Sequence, residues 1–540
     1  MAVPFIGRLR LFEWPALLLS LVLVVLEYLL SIITALLPSF VIAFFRRLTT
    51  AIFTLVPTSG VNKLLADPGL DEVVTEVREA HGFVEICRIF GYDAEEHIVK
   101  TQDGYLLGVH RIGGPKHSAW RTRPPATPRP VVYLHHGLLM NSEIWVANVD
   151  PTKVLPFVLA DLGYDVWLGN NRGNKYSKKH VSLRPTSVQF WDFSIDNFAL
   201  YDIPDTINYI LELVNQPDLI YIGFSQGSAQ AFATLSINPG LNKRVKLFIA
   251  LAPAMAPPGL RNNIVDSLMR ASPSLIYLLF GRKAILQSAA FWQSIMYPPL
   301  FVKTIDISLK SLFNWRCKNI TYPQKLAAYP HLYSFTSVKS VVHWFQIIRS
   351  GRFHMFDDEL ESPFTETKYF YRVASFPTQN ITTPIMLVYG KTDSLVDIDV
   401  MLSELPEGTV AFGVPEHEHL DMIWGDDIDT LVFPHVFRAL SKFSDAPLSL
   451  MLENNNAGNM SMSTLNTVDG SDGEPVDTST PKAVTGVLGR SRVEGMTYQS
   501  SITSQEQLTK KISRSFSSSH SGFNFGRSDP VVEVTKTNLD

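Results

Sequence analysis

Apolar and polar positions divide the chain into unlike stretches. From Trp14 to Phe45 it is almost wholly apolar, interrupted by Glu27 and Pro38 and flanked by Arg8, Arg10 and Arg46-Arg47. At about 1.5 Å per residue, Pro15 to Leu37 is long enough to span a bilayer as one helix. The lack of polar positions argues against a buried soluble helix. The length, and the absence of an A-x-A site after it, argue against a cleaved signal. Glu27 near its centre is a cost unless it is paired, protonated or close to an interface. Basic residues at both ends leave the orientation open. Residues 1–50 are expected to be a membrane anchor, either spanning or lying as a hairpin.

Regular patterns begin near residue 80. His97 to Thr101 and Tyr105 to Ile112 alternate, and the Gln-Asp-Gly between them signals a hairpin. Val131 to Leu139 reads as a buried strand that ends on Gly137, and Tyr164 to Gly169, Leu219 to Ile222 and Leu247 to Pro253 are further short strands. Ile385 to Gly390 and Thr409 to Phe412 complete the series. Strands alternating with helical stretches imply an α/β fold with a mostly parallel sheet and helices on both faces. We expect eight strands in two parts, residues 80–253 and 380–445. Between them, residues 254–379 are rich in aromatics (Phe291-Trp292, Trp344-Phe345) and show no alternating strand. An insertion this long and apolar reads as a helical cap, which would exclude water from an apolar tunnel. After about Ala446 the chain turns to Ser, Thr, Asn and Gly. It cannot bury enough surface to offset chain entropy, so residues 446–540 are expected to be disordered. Lys510-Lys511 before Ser513 and Arg514 before Ser517 suggest kinases as partners of this tail.

Composition changes this picture little. The hydrophobic fraction, 46%, is ordinary in amount and uneven in placement, and the net charge of −4 carries no nucleic-acid footprint. Cys87 and Cys317 are the only cysteines, too few for a disulfide framework or a cysteine-rich zinc site, and they suit a reducing compartment.

The chemistry centres on Leu219-Ile-Tyr-Ile-Gly-Phe-Ser-Gln-Gly-Ser228. A buried strand, then G-x-S-x-G, then a helix of small residues is the context of a nucleophile elbow, with Ser225 at the bend. The N–H of Gln226 would face a developing oxyanion, and that of Leu138, after His136-Gly137, would be the second donor. A serine hydroxyl needs a base to take its proton and an acid to orient that base. Asp393 lies just past the strand Ile385 to Gly390. Asp397 and Asp399 compete with it, and Asp393 is preferred for its closeness to the strand end. His417 and His419 both follow the last strand, and spacing alone does not choose between them. With Glu416 and Glu418 they resemble metal ligands, but nothing completes a site, so neither metal nor cofactor is expected. His135 and His136 read as structural.

From about Val84 to Phe443 these residues resemble the acid lipase family, which includes gastric and lysosomal lipases and, within it, the lipid-droplet sterol esterases of yeasts. The resemblance rests on His136-Gly-Leu-Leu139, Leu162-Gly-Tyr-Asp-Val-Trp-Leu-Gly-Asn-Asn-Arg-Gly-Asn174, Phe190-Trp-Asp-Phe-Ser194, Gly223-Phe-Ser-Gln-Gly227 and His419-Leu-Asp-Met-Ile-Trp-Gly425. It implies an α/β-hydrolase fold with Ser225 as nucleophile, Asp393 as acid, His419 rather than His417 as base, and Leu138 and Gln226 as oxyanion donors. Phe224 stands where the gastric and lysosomal branch usually carries a histidine. Secreted members carry a cleaved signal and a cap disulfide. This chain has an uncleaved-looking apolar segment and Cys317 alone in its cap, which favours an ER-derived membrane or droplet surface. Sequons at Asn319, Asn380 and Asn459 matter only where those segments are lumenal.

The expectation is a serine esterase acting on neutral lipids, steryl esters first and triacylglycerols second, at a membrane or lipid-droplet surface. An acyltransferase using the same triad and a non-catalytic droplet scaffold are the rivals.

Overall fold

The computed structural model describes residues 68–114, 116, 129–259, 276–277, 280–285, 293, 296–358 and 373–443, with residues 18, 22 and 44 near the start. Apart from residues 18 and 22, the expected anchor over Pro15 to Leu37 lies outside these residues, as does the tail at 446–540. No helix among the described residues is long and apolar enough to cross a membrane.

Unbroken apolar runs form the centre of the sheet because strands covered by helices on both faces have no polar side to present. The strands are β1 (Glu95–Lys100), β2 (Tyr105–Ile112), β3 (Val131–His135), β4 (Asp165–Leu168), β5 (Lys179–His180), β6 (Leu219–Phe224), β7 (Val245–Leu251), β8 (Ile385–Gly390) and β9 (Val410–Val414). Among the described residues they make one sheet in the order β1-β2-β4-β3-β6-β7-β8-β9, with β5 paired to β2 off this path. The pairs from β4 through β3, β6, β7 and β8 to β9 are parallel, while β1-β2 and β2-β4 are antiparallel. The expectation of eight strands therefore falls one short. β5 has only two residues, neither of them apolar enough to signal a strand. It is held by pairing with Tyr105 and Leu106 and by a His180 Nε2 bond of 2.9 Å to the Asp103 carbonyl.

Alternation along the central strands sends Val132, Leu134, Ile220, Ile222, Leu247 and Ile249 to one face and Tyr133, Leu219, Tyr221, Phe248 and Ala250 to the other. Each such aliphatic side chain, fully buried, contributes about 1.5–3 kcal/mol over leaving it exposed. The helices that cover the sheet are α1 (Pro68–Glu79), α2 (Phe83–Ile89), α3 (Leu155–Asp161), α4 (Ile203–Val214) and α5 (Gln226–Ile237), followed after β7 by α6 (Pro298–Phe313), α7 (Tyr322–Leu332) and α8 (Val338–Ser350), and after β9 by α9 (Phe433–Phe443). The first face receives α2, α3, α7 and α9, and the second receives α4, α5 and Trp344 and Ile347 of α8. Thus the described part of the insertion between β7 and β8 is helical and packs on both faces. Cys87 and Cys317 are buried and form no disulfide.

Two contacts fix how these layers meet. Where β6 turns into α5, a Cβ on Gly227 would stand 2.3 Å from the His135 carbonyl oxygen, so only glycine lets the helix lie this close to β3. Farther out, the buried Glu143 carboxylate accepts from His331 Nδ1 of α7 at 2.9 Å, from Lys175 Nζ at 2.6 Å and from the Tyr176 hydroxyl. His331 Nε2 reaches the Val77 carbonyl of α1 at 2.7 Å, so one carboxylate joins the core, the insertion and α1. Burial alone would raise the Glu143 pKa, but His331 and Lys175 outweigh it and hold it down at about 2.

Gly227→Ala should cost about 1–3 kcal/mol, because the atom it meets is backbone, read as a lower thermal midpoint. Glu143→Gln should cost roughly 1–3 kcal/mol at neutral pH, because buried His331 and half-buried Tyr176 both lose the carboxylate they donate to. The Glu143 contribution is fully present above the ordinary glutamate value of 4.5 and is lost as pH falls towards about 2. Urea unfolding across that window should therefore show the gap between wild type and Glu143→Gln closing.

Candidate active site

Strand β6 ends at Phe224 and α5 begins at Gln226, which leaves Ser225 alone to reverse the chain. It does so at φ 53° and ψ −121°, a left-handed conformation that costs a residue with a side chain roughly 1–3 kcal/mol. Several bonds hold it there. The Ser225 N–H still donates to the Leu251 carbonyl of β7 at 3.1 Å, and the Ser225 carbonyl accepts from the Ser228 N–H at 2.9 Å and hydroxyl at 2.5 Å. Tyr221 donates its hydroxyl to the Gly227 carbonyl at 2.9 Å. Gln226 is buried, and its side-chain oxygen accepts from the Trp344 indole N–H of α8 at 2.6 Å.

The loop after β3 abuts this bend. A Cβ on Gly137 would lie 3.0 Å from the Ser225 Cβ, so glycine permits the approach. His136 donates Nδ1–H to the Gly137 carbonyl at 2.8 Å, while its Nε2 accepts from the Asn171 N–H at 3.1 Å and the Asn174 amide at 3.2 Å. These donors fix the His136 tautomer, and the peptide plane between Gly137 and Leu138 is fixed with it. The opposite edge of that plane carries the Leu138 N–H. Leu139 follows at φ 60°, its carbonyl bonded by the Ser334 N–H of the insertion at 2.6 Å. His135 is held between the Tyr133 hydroxyl and the Asn171 side chain, both at 2.8 Å. Burial lowers the His135 pKa to about 4 and that of His136 well below its ordinary value, so both imidazoles stay neutral. His135 and His136 have the structural place expected of them.

The loops after β8 and β9 are joined by Thr392, whose N–H and hydroxyl both donate to the His417 carbonyl, at 3.1 and 2.6 Å. This brings Asp393 and His419 together. His419 Nδ1 bonds Asp393 Oδ2 at 2.6 Å, and Asp393 Oδ1 accepts from the Leu395 N–H at 3.0 Å. Both side chains are buried, and the Phe224 ring packs on the imidazole with centroids 5.1 Å apart. The competitors go elsewhere. Asp397 caps the helix Ile398–Glu404 by accepting from the Val400 N–H. Beyond the left-handed turn at Glu416, His417 bonds the Pro415 carbonyl and Asp427 Oδ1, both at 2.8 Å. Burial opposes protonation of His417, but these two acceptors prevail and raise its pKa.

An imidazole whose Nδ1–H is fixed by a buried carboxylate offers Nε2 as a proton acceptor, and the carboxylate stabilises the cation that results. The arrangement suits acyl transfer through a serine. Among the described residues, no group of three or more His, Cys, Asp or Glu side chains is placed to hold a metal. Sequence reasoning noted Trp344 only as one of the insertion's aromatics and passed over Trp315, whose indole stacks on His419 at 4.7 Å. One more aromatic in an aromatic-rich insertion carries no distinguishing signal. The sequon residue Asn319 has its amide engaged, donating to the Glu416 carbonyl at 2.9 Å and Asp421 Oδ2 at 3.0 Å.

Comparison with known proteins agrees with this fold. The model of the alpha/beta hydrolase fold matches residues 130–425, and that of a partial alpha/beta-hydrolase lipase region matches residues 83–149. A probable lipase of Schizosaccharomyces pombe is 48% identical over 446 residues, covering 82% of this chain and 94% of that protein. Human gastric triacylglycerol lipase is 34% identical, covering 69% of this chain and 93% of its own. Rat lysosomal acid lipase/cholesteryl ester hydrolase is 35% identical, covering 66% and 91%. With its mostly parallel sheet and these relatives, the chain belongs to the acid lipase family, a family of lipase-type α/β hydrolases.

Proposed function

We propose that the chain is a serine esterase that hydrolyses neutral lipid esters, steryl esters foremost and triacylglycerols second. The observation that carries this reading is the buried Asp393–His419 pair, 2.6 Å apart and packed against Phe224, the neighbour of Ser225. Ser225 Oγ attacks the ester carbonyl as His419 Nε2 takes its proton, and Asp393 holds the imidazole in the tautomer this requires. The N–H groups of Leu138 and Gln226 stabilise the oxyanion of the tetrahedral intermediate. His419 then passes the proton to the leaving sterol or glyceride, and water, activated by the same imidazole, releases the fatty acid from the acyl-enzyme.

Support for the substrate class comes from the relatives. One acts on triacylglycerol and another on cholesteryl esters by name, and each aligns over nearly its whole length. Such substrates sit in an oil phase, so an enzyme held at its boundary meets them more often. The apolar stretch from Trp14 to Phe45 is suited to that attachment, at a lipid droplet or an ER-derived membrane.

Ser225→Ala should lower hydrolysis of cholesteryl oleate and triolein, assayed side by side, by roughly 10⁴-fold or more, with an unchanged thermal midpoint. Near-normal turnover by that variant removes the mechanism. His419→Gln should lose a comparable factor, whereas His417→Gln, whose ring is turned to Asp427, should stay within about threefold of wild type. Equal losses in the two histidine variants would leave the choice of base without support.

A further inference from the structure

The imidazole of His419 has a second aromatic neighbour, and it comes from the insertion rather than from the sheet. Trp315 lies with its ring centre 4.7 Å from that of His419 and 6° from parallel, a closer and flatter stack than Phe224 makes. Phe313 in turn stacks on Trp315 at 4.3 Å and 17°. The indole N–H is buried without an acceptor among the described residues, so Trp315 meets His419 through its ring alone. What the position uses is the face of the ring.

The stretch that carries Trp315 is fastened to both loops that carry the acid and the base. The Arg316 and Cys317 N–H groups each donate to Glu418 Oε2 at 2.7 Å, next to His419 in sequence. The Ser394 hydroxyl, next to Asp393, donates to the Phe313 carbonyl at 2.7 Å. Asn319 adds its bonds to Glu416 and Asp421. Asn314 and Cys317, on either side, take left-handed backbone, at φ 61° and 48°, which makes the sharp excursion that presents the indole. Four anchoring points and a left-handed cysteine for one ring exceed what filling space requires.

Resting on the triad reading above, we infer that Trp315 is a positioning residue for the general base. It fixes the plane of the His419 imidazole, so that Nε2 stays aimed along one edge. Its π-face also stabilises the positive charge the ring acquires when it takes the Ser225 proton. Both effects belong to the chemical step, not to the affinity for ester. Trp315 acts through His419.

The test is steady-state hydrolysis of p-nitrophenyl butyrate, a small soluble ester, by the full chain and by Trp315→Ala, Trp315→Leu and Trp315→Phe, with fluorophosphonate labelling of Ser225 measured in parallel. Trp315→Ala should lower kcat roughly tenfold to a hundredfold, leave KM within about twofold, and slow labelling by the same factor. Trp315→Phe, which keeps a stacking face and removes the orphan N–H, should recover kcat to within about threefold. Trp315→Leu keeps apolar bulk and with it the fold, and should remain as slow as Trp315→Ala. Full kcat in Trp315→Leu, or a loss confined to KM, overturns the inference. A wild-type chain that takes no label at Ser225 overturns the triad reading and this one together. A labelled, active wild type with an unimpaired Trp315→Leu overturns this one alone.

Discussion

The reversal of the chain at Ser225 constrains everything built near it. A buried parallel strand and the helix that follows must lie almost in contact, and one residue has to make the turn in a conformation that disfavours side chains. The surroundings are arranged to over-determine that residue. Strand β7 holds its N–H, Ser228 holds its carbonyl from two directions, and Tyr221 holds the next turn of helix. Glycine at 227 lets β3 close in from the side. The hydroxyl is thus placed by a turn whose strain is sustained because the Ser225 N–H and carbonyl both have partners.

Around this bend the loops are positioned by polar contacts buried in pairs. Thr392 joins the loop after β8 to the loop after β9, and the Asp393–His419 bond follows from that junction. On the other side, Asn171 and Asn174 set the His136 ring, which sets one peptide plane. Beyond them, the Arg172 guanidinium is wholly buried between Asp202 and Asp103 and lies over the Tyr105 ring at 4.0 Å. Buried ion pairs of this kind contribute little net stability when compared with apolar packing. Their directional bonds hold a loop to one conformation.

Much of this could be read from the residues. The hairpin, the buried strands and the elbow each have a local signature, because alternation, Gly-rich turns and a strand-to-helix switch are encoded within a few neighbouring positions. Asp393 was legible for the same reason, lying directly past a strand end. Which of His417 and His419 would meet Asp393 was not available from spacing, since the two leave the left-handed turn at Glu416 towards different partners. β5 escaped notice because two polar residues carry no period. Trp315 escaped because its partner is supplied by a segment distant in sequence, and a stack between distant segments leaves no trace in either one.

The two histidines beside the elbow have a consequence of another kind. Burial pushes both below the range in which imidazoles ordinarily charge, so they behave as fixed hydrogen-bonding units of constant dipole. Moderate acidification of the surroundings therefore leaves the shape of the Gly137 to Leu139 segment untouched. These two imidazoles can meet an acidic milieu without changing charge.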